Sequence, residues 1–312
     1  MYPRVSFGLW EKRDAKRAVE AAVQAEQMGI DGLWLDVSRN VPDPVTFYAA
    51  AAWATQSVSL GLAIVPTYPR HPAVLANQAQ ALYQLGGERI RLGIGPSHQH
   101  IVEGAYGLEF DRPLAHLREY LQILRTLTES GRCQFQGEFF RVDVTLDSIA
   151  PLPLYVSALR SRALQLAGEL ADGALTWLAP VNYLRDEGLA RLEEGARRGE
   201  RQRPRLIASF PCIVSNDIAT VRQRIGPMLT LYQKLPFYSS VLNAAGVDLR
   251  GDEWPEDALS RIVIWGPPEQ IREQVDHALA QGIDEVSLKL FSNGNTPDEL
   301  ATLRSVGAPV AP

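Results

Sequence analysis

Ser59-Leu60-Gly61-Leu62-Ala63-Ile64-Val65 and Arg91-Leu92-Gly93-Ile94-Gly95 are two apolar runs of strand length with one helical pattern between them. The first breaks into Pro66-Thr67-Tyr68-Pro69-Arg70-His71-Pro72 and the second into Pro96-Ser97-His98, residues that no buried core requires. Buried parallel strands that end in Gly, Pro, Ser, Thr and His describe a (β/α) barrel at the end where it builds its site.

Outward from this stretch the alternation continues. On the N-terminal side a strand at about Arg4 to Trp10 precedes a helix from about Asp14 to Met28, whose Ala15, Ala18, Val19, Ala22, Ala25 and Met28 keep the 3.6 period. Asp14 is placed to cap it and Gly29 to stop it. A second strand, Ile30 to Leu35, leads to a helix that opens at Asp43-Pro44 and runs to about Thr55. Pro72 to about Gln84 is the helix between the two quoted runs.

Past the fourth strand the rhythm breaks. Ser97 to Pro113 reads as a long loop, a helix follows to about Thr128, and Phe135 to Val142 reads as a small strand pair or extended segment turning at Gln136-Gly137. Strands resume at Leu154 to Ser157, Ala174 to Trp177, Leu206 to Val214 and Glu285 to Phe291. Helices are expected at about Ser161–Ala171, Tyr183–Arg198, Asp217–Lys234, Pro267–Gln281 and Pro297–Ser305. Leu235 to Trp265 reads as an irregular insertion.

Strict strand–helix alternation implies parallel strands with right-handed crossovers. The expected fold is an α/β (β/α)8 TIM barrel, one domain over residues 1–312, with insertions at about 97–150 and 235–265. A doubly wound open sheet is the alternative. Met28-Gly29-Ile30-Asp31 and Gln281-Gly282-Ile283-Asp284 echo each other, and Ala171-Asp172-Gly173 is a weaker copy. Each reads as a helix stop and turn at the stability face of a barrel.

The bulk properties exclude several classes. At 312 residues the chain is somewhat longer than a typical barrel of ~250. A net charge of −5 and no unmixed Lys/Arg cluster argue against nucleic acid as a partner. Two cysteines, Cys133 and Cys212, are too few for a disulfide framework or a cysteine zinc site, and fit a reducing cytoplasm. The first residues lead straight into a strand without a signal-peptide layout, and no run approaches the ~20 apolar residues of a membrane span. The expectation is a cytoplasmic protein with no membrane partner.

Gly93-Ile94-Gly95 lacks the third glycine and the downstream acid of a dinucleotide site. His98-Gln99-His100 lacks a third ligand at metal spacing, so no metal is expected. Two features carry chemistry. Val156-Ser157-Ala158-Leu159-Arg160-Ser161-Arg162 sits at a strand-to-helix junction, which is either a phosphate seat on helix N-terminal amides or an ordinary helix start with surface arginines. The other is the polar rim: Asp36 and Ser38 after strand two, Thr67 and His71 after three, Ser97 and His98 after four, Trp177 after six. Together they describe the mouth of a barrel enzyme with an anionic ligand near strand five.

Gly61-Leu62-Ala63-Ile64-Val65-Pro66-Thr67-Tyr68-Pro69-Arg70-His71-Pro72 resembles the third-strand segment of the bacterial luciferase-like superfamily. Arg91 to His98, Tyr106-Gly107-Leu108, Asp111-Arg112-Pro113, Ser157-Ala158-Leu159, Leu166 to Gly173 and Gly266-Pro267-Pro268-Glu269-Gln270-Ile271 are similar to its branch that uses the deazaflavin coenzyme F420. The resemblance implies a homodimeric, luciferase-like barrel and a small-molecule substrate. It also implies a non-proline cis peptide among Leu62, Ala63 and Ile64 behind the coenzyme ring. Ala158, Leu159, Arg160 and Ser161, with Ser157 beside them, would take the coenzyme phosphate; Asp36, Val65, Ser97 and Trp177 would surround the ring with Ala63 and Ile64.

By the same resemblance, the sugar-phosphate dehydrogenases of the branch carry a His after strand two and a Glu after strand four. Here those slots hold Ser38 and His98, which disfavours glucose-6-phosphate oxidation. The expected activity is F420-dependent hydride transfer to a small electron-poor substrate, an enone or imine, with His98, Ser38 or Asp36 handling the proton. The alternatives are an FMN-dependent monooxygenase of the same superfamily and a non-catalytic flavin-binding protein.

Overall fold

The computed structural model describes residues 2–37, 40–247, 254–292, 296–303 and 306. In chain order the strands are β1 (Val5–Gly8), β2 (Gly32–Leu35), β3 (Ser59–Pro66) and β4 (Ile90–Gly95), then an antiparallel hairpin of β5 (Arg132–Gln136) and β6 (Arg141–Thr145). β7 (Leu154–Ser157), β8 (Gly173–Trp177), β9 (Arg205–Val214), a short β10 (Ile264–Gly266) and β11 (Glu285–Leu290) complete them. Leaving out the hairpin and β10, eight parallel strands form a ring in the order β9-β11-β1-β2-β3-β4-β7-β8. Gly173 to Trp177 pair with Arg205 to Ser209, and this ladder shuts the barrel. An open doubly wound sheet would leave that edge unpaired, so the alternative topology is excluded.

The helices follow the signals that local chemistry supplies. α1 (Ala15–Gln27) starts where the Asp14 carboxylate accepts from Arg17 N–H at 2.9 Å and stops before Gly29, which holds φ +79°. α2 (Pro44–Ala54) is capped by Asp43, with Pro44 at its first position, and α3 (Pro72–Gly86) by the His71 imidazole, which accepts from Ala73 N–H. The stretch expected to be a loop from Ser97 to Pro113 contains a further helix, α4 (Gln99–Tyr106), stopped by Gly107 in the left-handed region. α5 (Pro113–Ser130) and α6 (Ser161–Leu170) lie as expected.

The helix expected from Tyr183 to Arg198 is compound: a short α7 (Val181–Tyr183), a π turn over Leu184–Gly188 and α8 (Leu189–Arg198). α9 (Ile218–Tyr232) then leads into the segment expected to be irregular. That segment carries α10 (Pro236–Ala244), α11 (Glu256–Leu259) and β10, which extends the sheet beside the end of β9. α12 (Pro268–Ala280) and α13 (Thr296–Leu303) close the described chain.

The echoed Gly–Asp turns have one physical role in two of their three copies. Asp172 accepts from Leu154 N–H, and Asp284 from Leu206 N–H, each at 2.8 Å. A carboxylate at the barrel's N-terminal face thus accepts from an amide at the start of a strand.

Alternation along the strands divides outer from inner residues. Leu60, Leu62, Leu92 and Ile94 face the helices in the main core, while Trp34, Tyr155, Leu175 and Ile207 form a second, inner cluster. Gly61 has no side chain because the Trp34 indole lies across it. Below this cluster a fully buried Arg91–Glu285 ion pair spans the barrel, 2.7 Å at its closest. Glu285 also accepts from Ser6 Oγ at 2.6 Å and Trp34 Nε1 at 2.8 Å, and the Arg91 guanidinium stacks 4.2 Å from the Trp34 ring centroid. A buried carboxylate survives only with such a set of partners. Ala63 and Ile64 pack on top of the inner cluster and face the opposite end of the barrel.

Candidate active site

At the C-terminal mouth the strands surround a cavity of about 990 Å³. Its size suits a cofactor-sized ligand. One wall is the bulge in β3, where the register against β4 shifts between Leu62 and Val65 and the Ala63–Ile64 peptide is cis. This is among the positions that the resemblance named. Ala63 and Ile64 line the cavity; Val65 is fully buried in the outer core. Ser97, at φ +66°, and Leu178, at φ +54°, hold left-handed backbone just after β4 and β8, so the chain is bent sharply at two points of the mouth.

Of the expected rim, Asp36, Ser97, His98 and Trp177 line the cavity together, joined by Ser157 from the expected phosphate seat. Thr67 and His71 do other work. Thr67 is buried with its hydroxyl 3.4 Å from His116 Nδ1, and His71 caps α3. His116 in turn stacks face to face on Tyr68 at 4.0 Å, which fixes the loop after β3 against α5. Ser38 lies outside the described residues.

His98 is half-buried among aromatic rings: His100 stacked at 5.7 Å, Tyr238 at 6.2 Å and Tyr232 edge-on at 6.4 Å. Burial, with a smaller contribution from the neighbouring His100, holds its pKa below the ordinary 6.5. Tyr232 and Tyr238 arrive from α9 and α10, pack edge to face at 4.7 Å and close the mouth from above. Burial raises both phenols, so they stay protonated donors. Sequence pattern gave Leu235 to Trp265 as an irregular insertion and singled out neither tyrosine.

Lys289 was missed as well. It lies on β11 at the parity of Glu285 and Ser287, which are buried inside the barrel, and it pairs with Asp36 while standing 4.5 Å from the Trp177 ring centroid. That parity was the available signal: a lysine facing the interior of a barrel near the end of a strand.

Just past Ser157, beyond the residues that line the cavity, α6 begins at Arg160 with no side-chain cap, so its first amides are left for a ligand or solvent. The expected set needs one correction. Ala158 N–H is already committed to Leu175 O at 3.0 Å and cannot serve a phosphate. Leu159, Arg160 and Ser161 remain. The Ser161 hydroxyl donates to Glu187 at 2.7 Å, and the Arg160 guanidinium stacks 4.2 Å from the Phe237 centroid on α10. Among the described residues no three His, Cys, Asp or Glu side chains are grouped to hold a metal ion.

Residues 4–285 match the family of luciferase-like monooxygenases. An F420-dependent glucose-6-phosphate dehydrogenase from Intrasporangium calvum is 30% identical over 294 residues, covering 85% of this chain and 87% of that protein. The solved structure of an F420-dependent secondary alcohol dehydrogenase with an F420–acetone adduct superposes with a TM-score of 0.81 at 20% identity, covering 98% of each chain. The FMN-bound oxygenating constituent of a Pseudomonas putida 3,6-diketocamphane monooxygenase shares the fold at TM-score 0.77 and 17% identity, over 99% of this chain and 98% of that one. With a closed barrel, a bulged third strand and a family match over most of its length, this chain belongs to the luciferase-like monooxygenase family.

Proposed function

We propose that this protein is a coenzyme F420-dependent oxidoreductase that works as a reductase on a small organic substrate. One observation carries the reading. A single cavity joins the Ala63–Ile64 wall, suited to a planar ring, to the strand end at Ser157 that feeds the uncapped N-terminus of α6, suited to a phosphate. An elongated ligand with a ring at one end and a phosphate along its tail fits that arrangement, and the F420-dependent relatives identify it as the deazaflavin.

When bound, the coenzyme supplies the hydride, and the chain supplies placement and proton handling. Ala63 and Ile64 would back the ring, with Asp36, Ser97, Ser157 and Trp177 around it. The amides of Leu159, Arg160 and Ser161 would hold the phosphate. His98 is the proton-handling residue of this reading, and α10 keeps bulk water from it. Both cysteines are free and buried, which suits a reducing cytoplasm. The described helices include none long and apolar enough to cross a membrane. The reading takes the chain as one barrel domain and as half of a homodimer.

A fluorescence titration of the purified protein with F420, and with FMN in a parallel cell, tests this. Micromolar or tighter binding of F420 with no FMN binding is expected. Preferential FMN binding would move the protein to the monooxygenase reading, which its likeness to an FMN-bound structure supports. Coenzyme binding without turnover on enones, imines and ketones would leave a flavin carrier.

A further inference from the structure

Lys289 reaches Asp36 by crossing the end of β1. It can do so because the residue it crosses is Gly8, where a Cβ would stand 3.1 Å from Lys289 Cγ. A second lysine, Lys12 in the loop after β1, approaches the other oxygen of the same carboxylate at 3.9 Å. Two ammonium groups therefore converge on one carboxylate inside the cavity wall. The remaining charged pair of the lining, Arg70 and Asp43, closes on itself at 2.6 Å. Among the described residues the cavity thus presents three cations against two carboxylates.

This surplus is placed for use. Lys289 is only 17% exposed, so solvent does little to screen it. An ammonium has three donors; Asp36 accepts in one direction and the face of Trp177 occupies another. Beside it run flat rings in contact, Trp177 with Tyr232 at 6.3 Å and Tyr232 with Tyr238 at 4.7 Å. A cation next to an aromatic wall matches a ligand with an anionic end and a flat apolar body.

We propose that Lys289 and Lys12 form a carboxylate subsite, and that the substrate is a small planar organic acid whose conjugated or aromatic body lies against Tyr232 and Tyr238. The proposal deepens the reductase reading and rests on it only for the reaction that follows binding. Lys12 has a definite part: when Lys289 turns to the substrate carboxylate, Lys12 keeps Asp36 paired. Lys289 sets specificity by charge, so an ester or amide of the same acid is a poorer ligand.

Calorimetric titration of the full chain with benzoate, and with its neutral isostere benzamide, tests the subsite without turnover. Benzoate is expected to bind about 10- to 100-fold tighter than benzamide, the range of one hydrogen bond to a charged group. Lys289→Met should abolish that preference and Lys289→Arg should keep it. Lys12→Met should weaken benzoate binding by holding Lys289 on Asp36. F420 affinity should be the same in the native protein and Lys289→Met.

Equal binding of the two probes, no binding of either, or an intact preference in Lys289→Met would overturn the subsite. So would loss of F420 affinity in Lys289→Met, which would assign the surplus charge to the coenzyme. Selective benzoate binding by a native protein that takes up no F420 would instead sink the deazaflavin reading and leave the subsite standing.

Discussion

A histidine ringed by His100, Tyr232 and Tyr238, with only burial and another imidazole acting on its pKa, is neutral at pH 7. It gains a proton only as the pH falls through its lowered pKa. If His98 donates the proton that accompanies reduction, kcat/KM climbs as the pH drops below neutrality, and His98→Gln flattens that limb. The same variant should lower turnover by about 100-fold or more, the share of a placed general acid, with coenzyme affinity unchanged. A pH–rate profile with the limb intact in His98→Gln would take His98 out of the chemistry. Gly61 makes a separate prediction: Gly61→Ala drives a methyl into the Trp34 ring and should cost about 1–3 kcal/mol, read as a lower Tm. These two residues mark the limits of sequence reading. His98 was legible because it follows the break of an apolar strand. Gly61, Gly93 and Gly95 looked like strand glycines, or a fragment of a dinucleotide motif, because their reason lies on other strands of the barrel. Gly93 faces Leu175, and Gly95 faces Ser157. The Arg91–Glu285 pair and Lys289 escaped for the same cause: one charge in an apolar strand looks like an edge until the closed ring points it inward.

Elements fixed by local chemistry were the readable ones. Caps at Asp14 and Asp43, the stop at Gly29 and the strand at Leu154–Ser157 are written in neighbouring residues. The mouth cover was not, because α10 and α11 are short and are held by contacts made at a distance in the chain. α10 depends on two such contacts: Tyr238 packs on Tyr232 and His98, and Phe237 lies under the Arg160 guanidinium at the start of α6. The element therefore touches His98 at the cavity and Arg160 at the start of α6. Phe237→Ala removes the outer contact only. Amide exchange over residues 236–244 should then quicken by roughly threefold, the worth of one exposed cation–π contact, while β3 and β4 amides keep their protection. Unchanged exchange in α10 would show that Arg160 does not latch it.

At the scale of the whole molecule, one helix does not behave as the surface of a lone barrel should. α2 contains no charged residue from Pro44 to Ala54, and a helix apolar all round is ordinarily covered on both sides. Its inner face is buried through Val45, Phe47, Tyr48, Ala51 and Ala52, but Trp53 is 74% exposed. A shallow groove lined by Trp53, Leu85 and Arg89 lies beside it, and Val74 on α3 is half exposed. A large aromatic side chain next to a groove on the same surface can meet its own copy across a two-fold axis, each tryptophan entering the other's groove. The homodimer of the proposed reading is therefore expected to use the α2–α3 face, away from the mouth. Trp53→Glu puts a charge at the centre of the contact and should convert a dimer to a monomer in sedimentation equilibrium, while the barrel's circular dichroism stays the same. F420 binding should survive, since the cavity is built within one chain. A native protein that sediments as a monomer, or a dimer untouched by Trp53→Glu, would remove α2 from the interface.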